Sequence, residues 1–217
     1  MDIAAADLSP DRIYKLLIST VMPRPIALVS TLAADGTLNA APFSFFHVFS
    51  NAPPLLVLGI EGNRRGDGAP HKDTARNILE RRAFVVNTVS RGIAERMVVC
   101  ATDFPADVSE VDEAGFTPRP SRQIPVPGIA ESPVSFECRL FDVHALPHNR
   151  SLIMGEVVHL HIRDDLIDAR MHIDVDKLDL VGRMHGSEWY ATTRDRFTAP
   201  RMTVAEWRAL RSRNNGS

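Results

Sequence analysis

"IALVSTLAADGTLNAAPFSFF", residues 26–46, decides how the rest of the chain is read. Ile26–Leu32 is an apolar run, Asp35-Gly36 supplies a tight turn, and the chain returns from Thr37, so the stretch is a β-hairpin. Its returning half continues as "TLNAAPFSFFHVFSNAPP" (37–54), which sets Phe43, Phe45, Phe46 and Phe49 around Ser44 and His47 and stops at two prolines. Four of ten phenylalanines within seven positions, in a chain only 6% aromatic, ask for a reason beyond packing.

Upstream, Ser9-Pro10-Asp11 predicts a helix start, with a capping hydroxyl, proline at the first helical position and an early acid. Ile13, Leu16 and Leu17 give that helix an apolar face, and Pro23 and Pro25 end it. Downstream, LLVLGI (55–60) and AFVVNTV (83–89) read as short buried strands. Asp73–Arg82 between them fits a helix anchored by Ile78 and Leu79. Ser90–Ala101 fits another, with Ile93, Met97 and Val98 on one side. VSFECRLFDVHAL (134–146), SLIMGEVVHLHI (151–162) and LDLVGRM (178–184) add three strands. Thr203-x-x-Glu206 is a capping box that opens a last helix carrying Trp207 and Leu210.

Residues 102–133 hold six prolines and one short helical turn near Val111–Ala114. Excursions of that length inside a compact domain usually serve function. Short strands outnumber helices, and the helices come singly between hairpins. The expected fold is therefore mainly β with peripheral helices, an α+β antiparallel barrel in one domain over residues 1–217.

The bulk properties exclude several classes. A net charge of −2 gives no basic field for nucleic acid or an anionic membrane. No run of about 20 apolar residues spans a bilayer. The start, MDIAAADLSPDR, carries acids where a secretory signal carries lysine or arginine. Cys100 and Cys138 sit in apolar contexts and are too few for a disulfide framework, which reads as a cytoplasmic chain with buried thiols. His144-x3-His148 and His159-x-His161 lie in strand or strand-end contexts without an accompanying carboxylate or cysteine cluster, so the pattern argues against a metal. Ser44 has phenylalanine on both sides and no glycine elbow, which argues against a hydrolase nucleophile. Neither dinucleotide nor P-loop glycine motif occurs, and the tripeptide in RRGDG (64–68) reads as a charged turn.

PHKDTARNILE (70–80) is more informative. Lys72 puts a positive charge just ahead of a helix N-terminus, Thr74 adds a hydroxyl, and first-turn N–H groups are unpaired, which together suit a phosphate monoester. Asp73 opposes this unless it points away. Ala40 and Ala41 let a flat ring approach the backbone, and Ser44 offers a hydrogen bond to its edge. A single phosphate site joined to a planar heterocycle describes flavin mononucleotide (FMN) and leaves no second phosphate loop for a dinucleotide.

Over roughly residues 10–200 the chain resembles the flavin reductase-like flavoproteins with an FMN-binding split barrel. The resemblance rests on PRPIALVST, the Asp-Gly turn, N-x-A-P-F-S-x-F, the Pro-Pro before an apolar strand, KDT-x-x-N, FVVN, ESPVSFEC, GEVVHLHI and GRMHGSEWY, in that order. It implies a homodimer, bound FMN, and NADH or NADPH as transient reductant; some relatives pass electrons to a monooxygenase partner. The cofactor contacts it implies are Ser30 and Thr31 at a strand end, then Asn39, Ala41, Pro42, Phe43, Ser44 and Phe45 along the ring. Lys72, Asp73, Thr74 and Asn77 would serve the phosphate, with Arg183 as a second phosphate or ribityl contact. His185 stands where many relatives carry a small residue. On this reading no side chain is a catalytic acid or nucleophile, the phenylalanines wall one face of the ring, and His47 or His148 is the candidate proton donor to an acceptor. The rival readings are a flavin-carrying electron-transfer module, a haem-binding barrel and a pyridoxamine-phosphate oxidase, whose arginine-rich phosphate pattern is missing. The proline-rich segment is the candidate to reach across to a second subunit.

Overall fold

The computed structural model describes residues 1–63, 69–186 and 188–214. Helix α1 (Pro10–Thr20) precedes strands β1 (Arg24–Pro25), β2 (Ala27–Leu32), β3 (Leu38–Phe43), β4 (Phe46–Asn51) and β5 (Pro54–Ile60). Helix α2 (Asp73–Arg81) leads into β6 (Ala83–Thr88), and α3 (Ala94–Val99) follows a single 3-10 turn at Arg91–Ile93. Helix α4 (Glu110–Glu113) and strands β7 (Pro118–Arg119) and β8 (Gly128–Ile129) lie in the proline-rich segment. The long hairpin of β9 (Val134–Leu146) and β10 (Arg150–Ile162) comes next, then α5 (Val175–Leu178), β11 (Val181–Arg183), β12 (Tyr190–Thr192) and α6 (Val204–Asn214).

Seven strands form one antiparallel sheet in the order β3-β2-β6-β9-β10-β5-β4. Its two edges, β3 and β4, are consecutive in sequence and separated only by Ser44 and Phe45. Laid flat, seven strands put the edges about 29 Å apart, whereas the chain from Phe43 to Phe46 spans at most roughly 11 Å. The sheet must therefore curl until its edges nearly meet. The result is a barrel with a split along Ser44–Phe45, the expected architecture.

The interior is apolar. Phe84, Leu58, Ile60, Ile78 and Ile153 are essentially fully buried. Gly155 exists for that packing, since a Cβ there would lie 2.3 Å from Phe84 Cζ. Among the described residues no helix is long and apolar enough to cross a membrane.

Several expectations need correction. Ser9 makes no side-chain cap, and α1 buries only Ile18 while Leu16 and Leu17 stay about half exposed. Met97 and Ile93 are buried but Val98 is not. The stretch FHVFSN is a strand of its own, β4, turning tightly at Ala52-Pro53 into β5. The proline-rich segment packs apolar side chains on this chain's own sheet, with Ile124 and Val126 on Ala83 and Val85. Its backbone is tied down as well, with Asn87 Oδ1 accepting from the Ile129 N–H at 2.9 Å and Glu137 accepting from the Arg122 and Gln123 N–H groups at 2.8 and 2.7 Å. The capping box at Thr203 and Glu206 forms as expected. The RRGDG turn lies outside the described residues.

Candidate functional site

The split opens onto a cleft. Three adjoining cavities of about 280, 170 and 150 Å³ share Pro42 and Phe43 as a common wall. The β3 edge facing this cleft is a sheet edge that must satisfy its own backbone groups. Helix α4 meets that need: Ser109 Oγ donates to Leu38 O at 2.8 Å, and Glu110 Oε2 accepts from Ala40 N at 3.1 Å. The alternation that turns Leu38 and Ala40 outward also turns Pro42 outward, and proline has no N–H to leave unpaired.

Behind the largest of these three cavities lies a buried hydrogen-bond network. Glu110 Oε1 and Oε2 accept from Asn39 Nδ2 at 3.0 and 2.9 Å. Asn39 Oδ1 in turn accepts from Thr31 Oγ1 and Thr74 Oγ1, both at 3.1 Å. Asn77 Nδ2 donates to Thr31 Oγ1 at 3.1 Å. The network joins β2, β3, α2 and α4, so it fixes the α2 N-terminus against the β3 edge. Burial pushes the Glu110 carboxyl above its ordinary range, against hydrogen bonds that pull it down. Cys100, on the same wall, is an inert thiol: burial foremost, then the charge of Glu110, raises it to about 12.

At the mouth of that cavity stands Lys72, the N-cap of α2, partly buried and without a hydrogen-bond or ion-pair partner among the described residues. Among the described residues no side chain caps this nine-residue helix, and the N–H groups of Thr74 and Ala75, in its first turn, have no partner within the helix. Asp73 lines the same cavity but is ion-paired with Arg76 at 2.7 Å, which offsets its charge. An ammonium and helix-start N–H groups are the groups that an anion site uses, and here they share the cavity with Glu61, Asp103 and Glu110.

The other end of the cleft is built differently. Arg24, nearly fully buried, donates from Nη1 to Ile18 O and Val21 O, from Nη2 to Met184 O, and from Nε to Ser44 Oγ at 3.3 Å. The Ser44 hydroxyl keeps its own hydrogen, which has no acceptor among the described residues. Arg183 lies over the Tyr190 ring at 4.6 Å and donates to its hydroxyl. Tyr14, Ile18, Ile26 and Met97 supply apolar walls.

Of the residues expected from sequence, Asn39, Ala41, Pro42, Phe43, Ser44, Phe45, Lys72, Asp73, Thr74 and Arg183 line the cleft. Ser30, Thr31 and Asn77 line none of these cavities. Ser30 is fully buried with its hydroxyl on Pro127 O at 2.7 Å, and the other two stand in the network behind Asn39. Thr74 has spent its hydroxyl hydrogen on Asn39, so its share of an anion site is its backbone N–H. The four phenylalanines do not wall one face: Phe43 and Phe45 border the cleft, Phe46 packs on the core, and Phe49 is 68% exposed. His47 Nδ1 meets Val48 O at 2.9 Å on the outer surface, and His148 sits in the β9–β10 turn with φ 61°. His185 stacks on Trp189. Sequence reasoning missed Arg24 and Glu110. Arg24 sits inside the PRP motif, and Glu110 opens the one helical turn of the proline-rich segment; those positions were the available signals.

Residues 18–176 match the flavin reductase like domain, and the chain belongs to that family. The structure is similar to that of 2-nitrobenzoate 2-nitroreductase NbaA of Pseudomonas fluorescens, with 39% identity and a TM-score of 0.85 over 94% of this chain and 98% of that one. It is also similar to nitrilotriacetate monooxygenase component B of Bacillus cereus, at 29% identity, a TM-score of 0.84, and coverage of 92% and 98%. An uncharacterized protein of Aquifex aeolicus is 38% identical over 186 residues, 86% of this chain and 93% of its own. The family and these likenesses make the chain a split-barrel oxidoreductase.

Proposed function

We propose that the protein binds FMN in the cleft and takes a hydride equivalent from NADH or NADPH for delivery to an acceptor. The observation that carries this is the pairing, across one groove, of Lys72, partly buried at a helix N-terminus and without a partner among the described residues, with the Ser44 hydroxyl hydrogen at the split, which has no acceptor among them. The residues fit the cofactor: Lys72 and the Thr74 and Ala75 N–H groups would hold the phosphate, Ala41–Phe43 would flank the ring, and Ser44 would donate to its polar edge. When bound, FMN supplies a two-electron acceptor and donor. The protein's part is to bind and orient it, to exclude water along Pro42 and Phe43, and to keep a donor where negative charge gathers on reduction. No dinucleotide-binding glycine motif occurs in the sequence, so the nicotinamide docks transiently on the open face.

The named relatives support this reading without fixing the acceptor. One is a component of a monooxygenase and another a nitroreductase, so reduced flavin here serves either a partner enzyme or a small organic acceptor. The second is favoured by the cavity beside Arg24, which adjoins the ring position. A homodimer is part of the proposal, because Tyr14 and Phe45 at the cleft mouth and Leu17, Val48 and Phe49 nearby are exposed. Two free, buried cysteines agree with a cytoplasmic site. Extraction and chromatography of the native cofactor, then NADH and NADPH oxidation with added FMN, tests the function. Recovery of FAD alone, or no oxidation of either nucleotide, defeats it.

A further inference from the structure

We infer that Arg24 is a positioning residue for flavin reduction: through Ser44 it favours the reduced, anionic cofactor over the oxidised one. It sits between Pro23 and Pro25, on a short strand paired with β11 so closely that a Cβ on Gly182 would lie 2.8 Å from Pro23 Cβ. Three backbone carbonyls hold its guanidinium. Nη1 donates to Ile18 O and Val21 O at the end of α1, and Nη2 donates to Met184 O, just beyond β11, at 3.0 Å. Those bonds account for where the side chain lies. The remaining one is of another kind: Nε donates to Ser44 Oγ at 3.3 Å, the one side chain among its acceptors in the described residues.

Charge gives that contact its consequence. Arg24 is only 6% exposed, and among the described residues it forms no ion pair and shares its cavity with no carboxylate. A buried cation without a counter-ion is costly to keep, and the carbonyls at the end of α1 offset part of that cost. Burial foremost disfavours the charge; Tyr14 opposes this and Arg183 adds to it. A hydride brings two electrons and one proton, so a ring that accepts it gains one negative charge. With Nε donating to its oxygen, the Ser44 hydroxyl is a polarised donor whose hydrogen is left for the ring edge. The counter-ion that Arg24 lacks is therefore supplied on reduction, and the interaction strengthens along the reaction instead of in the oxidised complex. The flavin phosphate is the other anion to consider, and Lys72 with the α2 N-terminus is its assigned partner. The inference rests on the proposed function's placing of the ring edge at Ser44.

The test is anaerobic titration of the full chain with oxidised FMN and with chemically reduced FMN. The wild type is expected to bind the reduced form about tenfold or more tighter, which places the bound potential about 30 mV or more above that of free FMN. Arg24→Gln should weaken reduced FMN about 10- to 150-fold while leaving oxidised FMN unchanged, so the potential falls by about 30 to 65 mV. Arg24→Lys, which keeps the charge, should fall between. Because the effect passes through Ser44, adding Arg24→Gln to Ser44→Ala should move the potential little further. Equal weakening of both forms in Arg24→Gln overturns the inference, since the guanidinium then serves the phosphate or the framework alone. Full additivity with Ser44→Ala overturns it too. Should Arg24→Gln not fold, the wild type still decides, because tighter binding of oxidised FMN is incompatible with the inference. Failure of the wild type to bind either form is a different result, which defeats the proposed function and this inference with it.

Discussion

Glu110 and Asn39, 71 residues apart in sequence, face each other as carboxylate and amide, with both carboxylate oxygens accepting from the one Nδ2 at 3.0 and 2.9 Å. The pair ties the proline-rich segment to the strand edge that borders the cleft. Replacing Glu110 by glutamine sets an amide N–H₂ against the Asn39 and Ala40 donors. The expected cost is about 1–3 kcal/mol of stability, from leaving a buried donor unsatisfied, with weaker FMN binding because Asn39 positions Thr74. The folded pKa of Glu110 is raised, so its folded form keeps the proton to higher pH than the unfolded chain. Its contribution is full below the ordinary carboxylate range and is lost as pH rises through the folded value. Asp35, Glu131, Asp165, Asp179 and Glu206 are shifted the other way in both proteins, so the reading is the difference: relative to Glu110→Gln, the wild-type urea midpoint should fall as pH rises through that window. Parallel curves for the two proteins count against the account.

Lys72→Ala and Ser44→Ala should fail in different ways. Loss of the Lys72 contact, at the phosphate end, should raise the FMN dissociation constant about 10- to 150-fold. Turnover at saturating FMN should stay nearly normal, because ground and transition states lose the same contact. Ser44→Ala removes the hydroxyl that the proposal assigns to the ring edge and, with it, the acceptor of Arg24 Nε. It should shift the flavin potential and slow single-turnover reduction even when the site is full. An unchanged FMN dissociation constant in Lys72→Ala removes the phosphate assignment.

Gly155→Ala should destabilise the barrel by about 1–3 kcal/mol, the usual range for overpacking. The added methyl would stand 2.3 Å from Phe84 Cζ and 2.9 Å from Phe84 Cε1, and Phe84 has no free space to give. Gly92→Ala is the control, since its new methyl meets nothing nearer than Ser90 Oγ at 3.9 Å. Chemical denaturation of both variants reads the difference; similar midpoints would mean that the core yields at β10.

The exposed apolar residues of α1 and β4 predict a dimer in solution. Leu17 is 51% exposed, Val48 65% and Phe49 68%. Sedimentation equilibrium should give twice the chain mass, and Leu17→Asp combined with Phe49→Asp should shift it to the monomer. A wild-type monomer at micromolar concentration with flavin still bound is the result that would remove the dimer.

The parts of the fold written in local signals were legible. The Asp35-Gly36 turn set the β2–β3 hairpin, and the stretches VSFECRLFDVHAL and SLIMGEVVHLHI marked β9 and β10. β4 was obscured because its residues are mostly exposed and do not alternate, so it reads as aromatic crowding instead of a strand. The α1 face misled for a related reason: Leu16 and Leu17 are apolar without being buried by this chain. At the site, Lys72 and Ser44 announced themselves through short motifs. Glu110 could not, because its meaning depends on Asn39 far away in sequence. Ser30, Thr31 and Asn77 carry the motif's polar residue types yet serve the framework behind the cleft, a distinction of depth that a one-dimensional pattern does not hold.

Ser44 and Phe45 act as a covalent ruler. Every other gap in the seven-stranded sheet is set by a hydrogen-bonded ladder, but the gap between its two edges is set by the reach of two residues. Phe45 is pinned on one side through its carbonyl, which accepts from Gly59 N at 2.7 Å, so the distance across the split is carried by Ser44 and the bonds around it. The width of the ligand cleft is therefore a property of chain length rather than of packing, and a single residue inserted there would widen it while leaving every strand pairing intact.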